Sequence, residues 1–132
     1  MSPSLGTAPA PLALMALIFY LSAQSDPGAD IGAVGRVLAH AGEFALLTAL
    51  WAWTLVPSIG PRGIGAAAAI SLAYAVSDEV HQSFVPGRDA DPLDVVADAA
   101  GIALACWALS YGFRRADRRR RATSRESHRR PS

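Results

Sequence analysis

Four apolar stretches dominate the chain, running roughly from Ala8 to Ser22, Val37 to Val56, Ile64 to Gln82 and Leu93 to Phe113. Polar connections separate them: Ala23–Arg36, Pro57–Gly63 and Ser83–Pro92. The second holds two Pro and two Gly, which predicts a helix stop. The third contains Pro86-Gly87, a turn dipeptide, and Asp91-Pro92. Ile64–Val76 reads IGAAAAISLAYAV, with no polar–apolar alternation. A soluble surface helix carries a polar stripe at the 3.6-residue period, and these stretches lack one over most of their length. Helices apolar all round belong in the core of a large protein or in a bilayer. A chain of 132 residues is too small to bury four of them. The pattern predicts an all-α integral membrane bundle of four transmembrane helices. The first stretch is read as a helix of the bundle, because MSPSLGTAPAP carries no charged side chain of the kind a signal peptide uses.

The uninterrupted apolar cores are short. Phe44–Val56, Ile64–Val76 and Ala99–Phe113 hold 13 to 15 residues each, against about 20 for a full span. The polar outer turns must therefore reach the membrane surface or dip below it. Those turns carry Ser22 and Gln24 on the first helix and Arg36, His40 and Glu43 on the second. The third carries Asp78, Glu79, His81 and Gln82, and the fourth Asp91, Asp94 and Asp98. Up-and-down connectivity gathers all four at one end. His40 and Glu43 are three apart, as are Asp91 and Asp94, and Asp98 follows four later. Each set lies on one helical face. Ionisable groups in membrane helices are costly and face the bundle interior, so a polar pocket is expected there.

Charge fixes an orientation. Residues 114–132 hold nine Arg against two acids, a net +7, whereas residues 1–113 hold three Arg against nine acids, a net −6. There is no Lys. By the positive-inside rule the Arg-rich end stays in the cytoplasm. Four spans put the N-terminus there too and turn the polar ends outward. The division expected is a membrane domain at 1–113 and a disordered cytoplasmic tail at 114–132, including His128, which takes no catalytic role. The tail touches anionic lipid. No nucleic acid is expected as a partner, since no aromatic platform or recognisable fold accompanies the basic run. Cys106 alone supports neither a disulfide nor a multi-Cys zinc module, and reads as a packing residue.

Several chemistries fit the polar end. Mixed His and carboxylate ligands, His40, Glu43, Glu79, His81, Asp94 and Asp98, suit zinc or manganese. There is no HExxH, and neither metal nor cofactor is assigned. Read as acid–base machinery, the same crowded carboxylates have His40 or His81 as a proton partner near neutral pH, and Arg88 holds an anionic group. The bland reading is ion pairing that neutralises buried acids and fixes packing. A proton or ion pathway needs ionisable groups along the full depth, which the inner halves lack. Small residues, Gly63, Gly65 and Ala66–Ala69 on the third helix and Ala99–Gly101, Ala103 and Ala105 on the fourth, predict close packing of those two as a hairpin.

The run Ala75–Gly101, AVSDEVHQSFVPGRDADPLDVVADAAG, resembles the signature region of VanZ-like membrane proteins. The matching core is Asp78-Glu79-x-His81-Gln82, then Phe84-x-Pro86-Gly87-Arg88, then Asp94, Asp98 and Gly101. Upstream, Arg36-x-x-Ala39-His40-x-x-Glu43-Phe44 is similar to the family's second-helix motif, and Ser22-x-Gln24 to its first-helix end. The similarity covers about residues 12–107. Val37 and Ala41 depart from it, standing where a basic and an aromatic residue are common. The resemblance implies a small polytopic protein of the cell membrane. The family's founding member is associated with low-level resistance to the glycopeptide teicoplanin, which gives a location and a phenotype class but no reaction. The expectation is an outward-facing pocket that binds or modifies a lipid-linked or cell-wall component. His40, Glu43, Asp78, Glu79, His81, Asp94 and Asp98 form its hydrogen-bonding or proton-transfer set. Gln24, Gln82 and Arg88 hold the substrate, and membrane lipids surround it. The contrasting expectation is a non-catalytic membrane module in which the polar cluster only stabilises the bundle.

Overall fold

The computed structural model describes residues 9–25 and 31–127 and is all-helical there apart from turns. The acidic and turn residues Asp26, Pro27, Gly28 and Asp30 of the first connection, and His128, lie outside the described residues. Four helices follow in order: α1 Pro9–Ser22, α2 Gly32–Ile59, α3 Arg62–Gln82 and α4 Pro92–Ser127. At about 1.5 Å per residue these are rods of roughly 21, 42, 32 and 54 Å. Two of them, α2 and α4, are long and apolar enough to cross a membrane, while α1 is a shorter apolar helix. Helix α3 has the length of a span but ends on the polar set from Asp78 to Gln82.

The helix ends follow local chemistry with two corrections. Pro57 does not stop α2, which runs through it to Ile59. The proline removes one backbone bond near the end of the helix, where few remain to be lost. Gly60 makes the stop, at φ 66°, its N–H donating to Val56 O at 2.8 Å. A residue with a side chain is strained there. The second correction concerns the arginine run. Residues 114–127, expected to be disordered, continue α4 without a break. No proline falls between Pro92 and Pro131, and arginine is a good helix former. Asp117 and Arg121 also pair across one turn at 2.9 Å. At the other end of α4, Asp91 Oδ1 accepts the Leu93 N–H at 3.0 Å. That is the N-cap bond, with Pro92 in the first helical position.

The packing centre is α2, which lies most extensively against α4, then against α3; α1 sits at the margin. Phe44 and Leu47 of α2 are fully buried among Ile18, Ala75 and Ile102, and Ala52, Ile64 and Ala67 form a second cluster. Cys106 is half-buried and packs against both. The tight hairpin expected between α3 and α4 is not the closest contact of Gly101. A Cβ on Gly101 would stand 2.0 Å from the carbonyl oxygen of Ala41, on α2. The small residue therefore seats α4 on α2.

Burial departs from that of a water-soluble protein at both the surface and the polar end. Val34, Trp53, Leu104 and Trp107 are 62–74% exposed, whereas Asp94 and Asp98 are 3% and 2% exposed. An apolar surface of this extent on so small a chain marks contact with lipid or protein. Buried acids are the pattern of a bundle whose solvent is not water.

Candidate functional site

The polar ends of all four helices meet, as the up-and-down connectivity predicts, and the contacts between them are specific. They separate into a seam and a cleft.

The seam joins α2 to α4. Residues 36, 40 and 43 share one face of α2. Arg36 reaches Asp91 Oδ2 at 2.6 Å and Asp94 Oδ1 at 3.3 Å. His40 Nδ1 stands 2.9 Å from Asp98 Oδ1, and Nε2 3.6 Å from Asp94 Oδ2. Both ring nitrogens thus face carboxylates. The shorter bond fixes the ring with Nδ1 as donor to Asp98, orienting the other nitrogen toward Asp94. Asp91 does two things, capping α4 with one oxygen and pairing with Arg36 through the other.

The cleft opens between α1, α2 and α3. Its volume is about 540 Å³. Arg36, His40, Glu43, Asp78, Gln82 and Arg88 supply the polar lining, with Ser22 beside them; Ile18, Leu21 and Ile31 supply apolar wall. Asp78 Oδ2 accepts a hydrogen bond from Gln82 Nε2 at 3.0 Å, one helical turn on. Its Oδ1 is buried and has no partner. Glu43 is half-buried and makes no hydrogen bond or ion pair among the described residues.

The turn after α3 delivers Arg88. The Arg88 N–H donates to Val85 O at 3.1 Å, and Gly87 takes φ 80°. These are the marks of a type II turn with Pro86 leading. The guanidinium then donates to Gln24 O at 3.0 Å and to Leu21 O at 3.1 Å. A cation here satisfies carbonyls left over at the C-terminal end of α1 and complements its dipole. Arg88 is thereby engaged with backbone, a partner that the acids around it in sequence did not suggest.

The remaining sequence candidates fall outside the cleft. His81 stacks on Phe19, with ring centroids 4.3 Å apart, and its Nδ1 lies 3.2 Å from Ser22 Oγ. Glu79 turns toward the Asp91 backbone and Asp94, with Oε1 buried and unpartnered. The Gln24 side chain folds back onto Tyr20 O at 3.1 Å. Asp94 and Asp98 belong to the seam. Among the described residues no three His, Cys, Asp or Glu side chains are grouped to hold a metal ion. Arg36 and Ser22 were not singled out for the site. The i, i+4, i+7 spacing of Arg36, His40 and Glu43 is the signal that would have added the arginine.

No curated protein and no solved structure matches the chain. The family model VanZ/LLP1 matches residues 10–113, which include every helix segment that builds the seam and the cleft. The chain belongs to the VanZ/LLP1 family.

Proposed function

We propose that the protein is a multi-pass component of the cell membrane whose cleft binds or modifies a lipid-linked or cell-wall constituent of the envelope. In this reading all four helices enter the bilayer and both termini are cytoplasmic. Residues 1–113 are the membrane domain, and the arginine-bearing end of α4 faces inward, near anionic lipid. The polar ends then face outward. Support for the orientation comes from the arginine run at the end of α4 opposite the seam. Support for the membrane comes from the two apolar helices and the family.

The observation that carries the functional reading is the cleft. It joins an apolar wall to a half-buried Glu43 that makes no hydrogen bond among the described residues. A group held only for bundle stability is normally bonded within the bundle, as His40 and Asp98 are. A contribution to glycopeptide (teicoplanin) resistance is the phenotype to measure. Glu43→Gln keeps the protein abundant and abolishes any such resistance it confers. Loss of abundance in step with resistance refutes the reading. In a Cys106→Ser background, a cysteine at Asp89 reacts with an impermeant reagent added outside cells and one at Ala122 does not; the reverse refutes the orientation.

A second reading applies to the seam alone. The Arg36–Asp91–Asp94 and His40–Asp98 contacts are what a non-catalytic module uses to fix its helices. Under it, variants of Asp98 lose fold and phenotype together.

A further inference from the structure

The cleft contains both signs of charge, and its ligand class depends on which charges are already spent. Arg36 is paired with Asp91 and Asp94. Arg88 is turned onto the Leu21 and Gln24 carbonyls. Both guanidiniums are held by bonds within the bundle, although neutral carbonyls leave the Arg88 charge unbalanced. The carboxylates of the cleft are less engaged. Glu43 has no hydrogen-bond or ion-pair partner among the described residues. Asp78 is 5% exposed, lines the cleft, and has one oxygen buried without a partner. A buried carboxylate oxygen left unsatisfied is costly, and a donor is what removes the cost. The wider field has the same sign. Seven acids from Glu43 to Asp98 outnumber Arg36, Arg88 and the two histidines, His40 and His81, at this end of the bundle. Such a concentration of negative charge around a low-dielectric cleft draws cations.

On these grounds we infer that the cleft takes a primary ammonium group carried on an apolar body, the nitrogen between Glu43 and Asp78 and the hydrocarbon along Ile18, Leu21 and Ile31. This rests on the cleft being the binding site and names the chemistry it selects. An ammonium offers three donors and no acceptor, which matches two carboxylates whose open positions are all acceptors. A phosphate or carboxylate headgroup would instead meet the unpartnered oxygen of Asp78 with a second anion. An alcohol satisfies one acceptor and leaves the charge uncompensated.

The test uses the full chain in nanodiscs of zwitterionic phosphatidylcholine, titrated with dodecylamine, dodecyl phosphate, dodecanol and ethanolamine. Saturable binding of dodecylamine is expected, with the other three weaker. Glu43→Gln, which touches no bonded group, weakens the amine by about tenfold or more, the loss of one charged hydrogen bond. Asp78→Asn does the same while helix content stays at the wild-type level. Amine binding untouched by Glu43→Gln overturns the inference. So does tighter binding of dodecyl phosphate that is lost in Arg88→Gln; that result leaves the cleft as the site and reverses the sign of its ligand. Ethanolamine binding as tightly as dodecylamine removes the apolar body from the proposal. If none of the four saturates and Glu43→Gln leaves resistance intact, the cleft reading falls with the inference.

Discussion

Adding a single methyl group to the α2–α4 contact tests how the seam is held. In Gly101→Ala the new Cβ would stand 2.0 Å from Ala41 O and 2.7 Å from Ala41 C. A carbon rests no closer than about 3.3 Å from a carbonyl oxygen, so α4 must retreat by about 1.3 Å. The obstacle is backbone, which has no rotamer to change. Asp98 lies one turn before Gly101 and His40 adjoins Ala41. The 2.9 Å bond between His40 and Asp98 opens to about 4 Å, beyond hydrogen-bonding range. Overpacking costs about 1–3 kcal/mol. A hydrogen bond to a charged group adds about 1.5–3 kcal/mol. Exchanging glycine for alanine inside a helix returns about 1 kcal/mol. The net loss is about 1.5–5 kcal/mol on these terms. Unfolding in detergent, followed by tryptophan fluorescence, measures it. Gly65→Ala is the control, because a Cβ there meets nothing within 4 Å, and it is neutral or stabilising. If Gly101→Ala is as stable as Gly65→Ala, the close approach of α2 and α4 is not what holds the seam.

Other perturbations separate the remaining contacts. Asp91→Ala removes the α4 cap and the nearest partner of Arg36, costing about 1–2 kcal/mol, read as a lower midpoint in the same unfolding assay; an unchanged midpoint counts against the double role. His40→Ala and Asp98→Asn are non-additive, with a coupling of about 1.5–3 kcal/mol in a double-mutant cycle; simple addition means the 2.9 Å contact contributes little. Arg88→Gln uncovers the carbonyls at the end of α1, so amides around residues 19–24 exchange faster while those of α2 and α4 keep their protection. Uniform exchange across the chain refutes the capping role.

Much of the fold was legible because the first and third apolar runs end on the polar residues that close α1 and α3. The Asp91-Pro92 pair marked the start of α4 within a residue, and Gln82 marked the end of α3. Meeting of the polar ends followed from connectivity. What spacing did not supply was the neighbour that each face meets. Residues 94 and 98 share a face by arithmetic, yet only packing decides that this face looks at His40 and not at Asp78. Gly101 misled for the same reason, since a small side chain announces close approach without naming the helix approached. Arg88 misled differently. Its acidic neighbours in sequence suggested ion pairs, but the Pro86-Gly87 turn aims it at backbone carbonyls, which have no side-chain signature. The length of α4 was hidden by its charge, because composition rates a basic run as tail while helix propensity carries it on to Ser127.

That continuity gives the arginines a fixed bearing. Every position in α4 is set by the turn angle counted from the Asp91 cap, so Arg119, eighteen residues after Gly101, points the same way at the far end of the rod. One alanine inserted after Phe113 would swing all the later guanidiniums by about 100° and leave the buried residues untouched. Whatever meets the basic end therefore meets it in a rotational phase dictated by the buried contacts of the bundle.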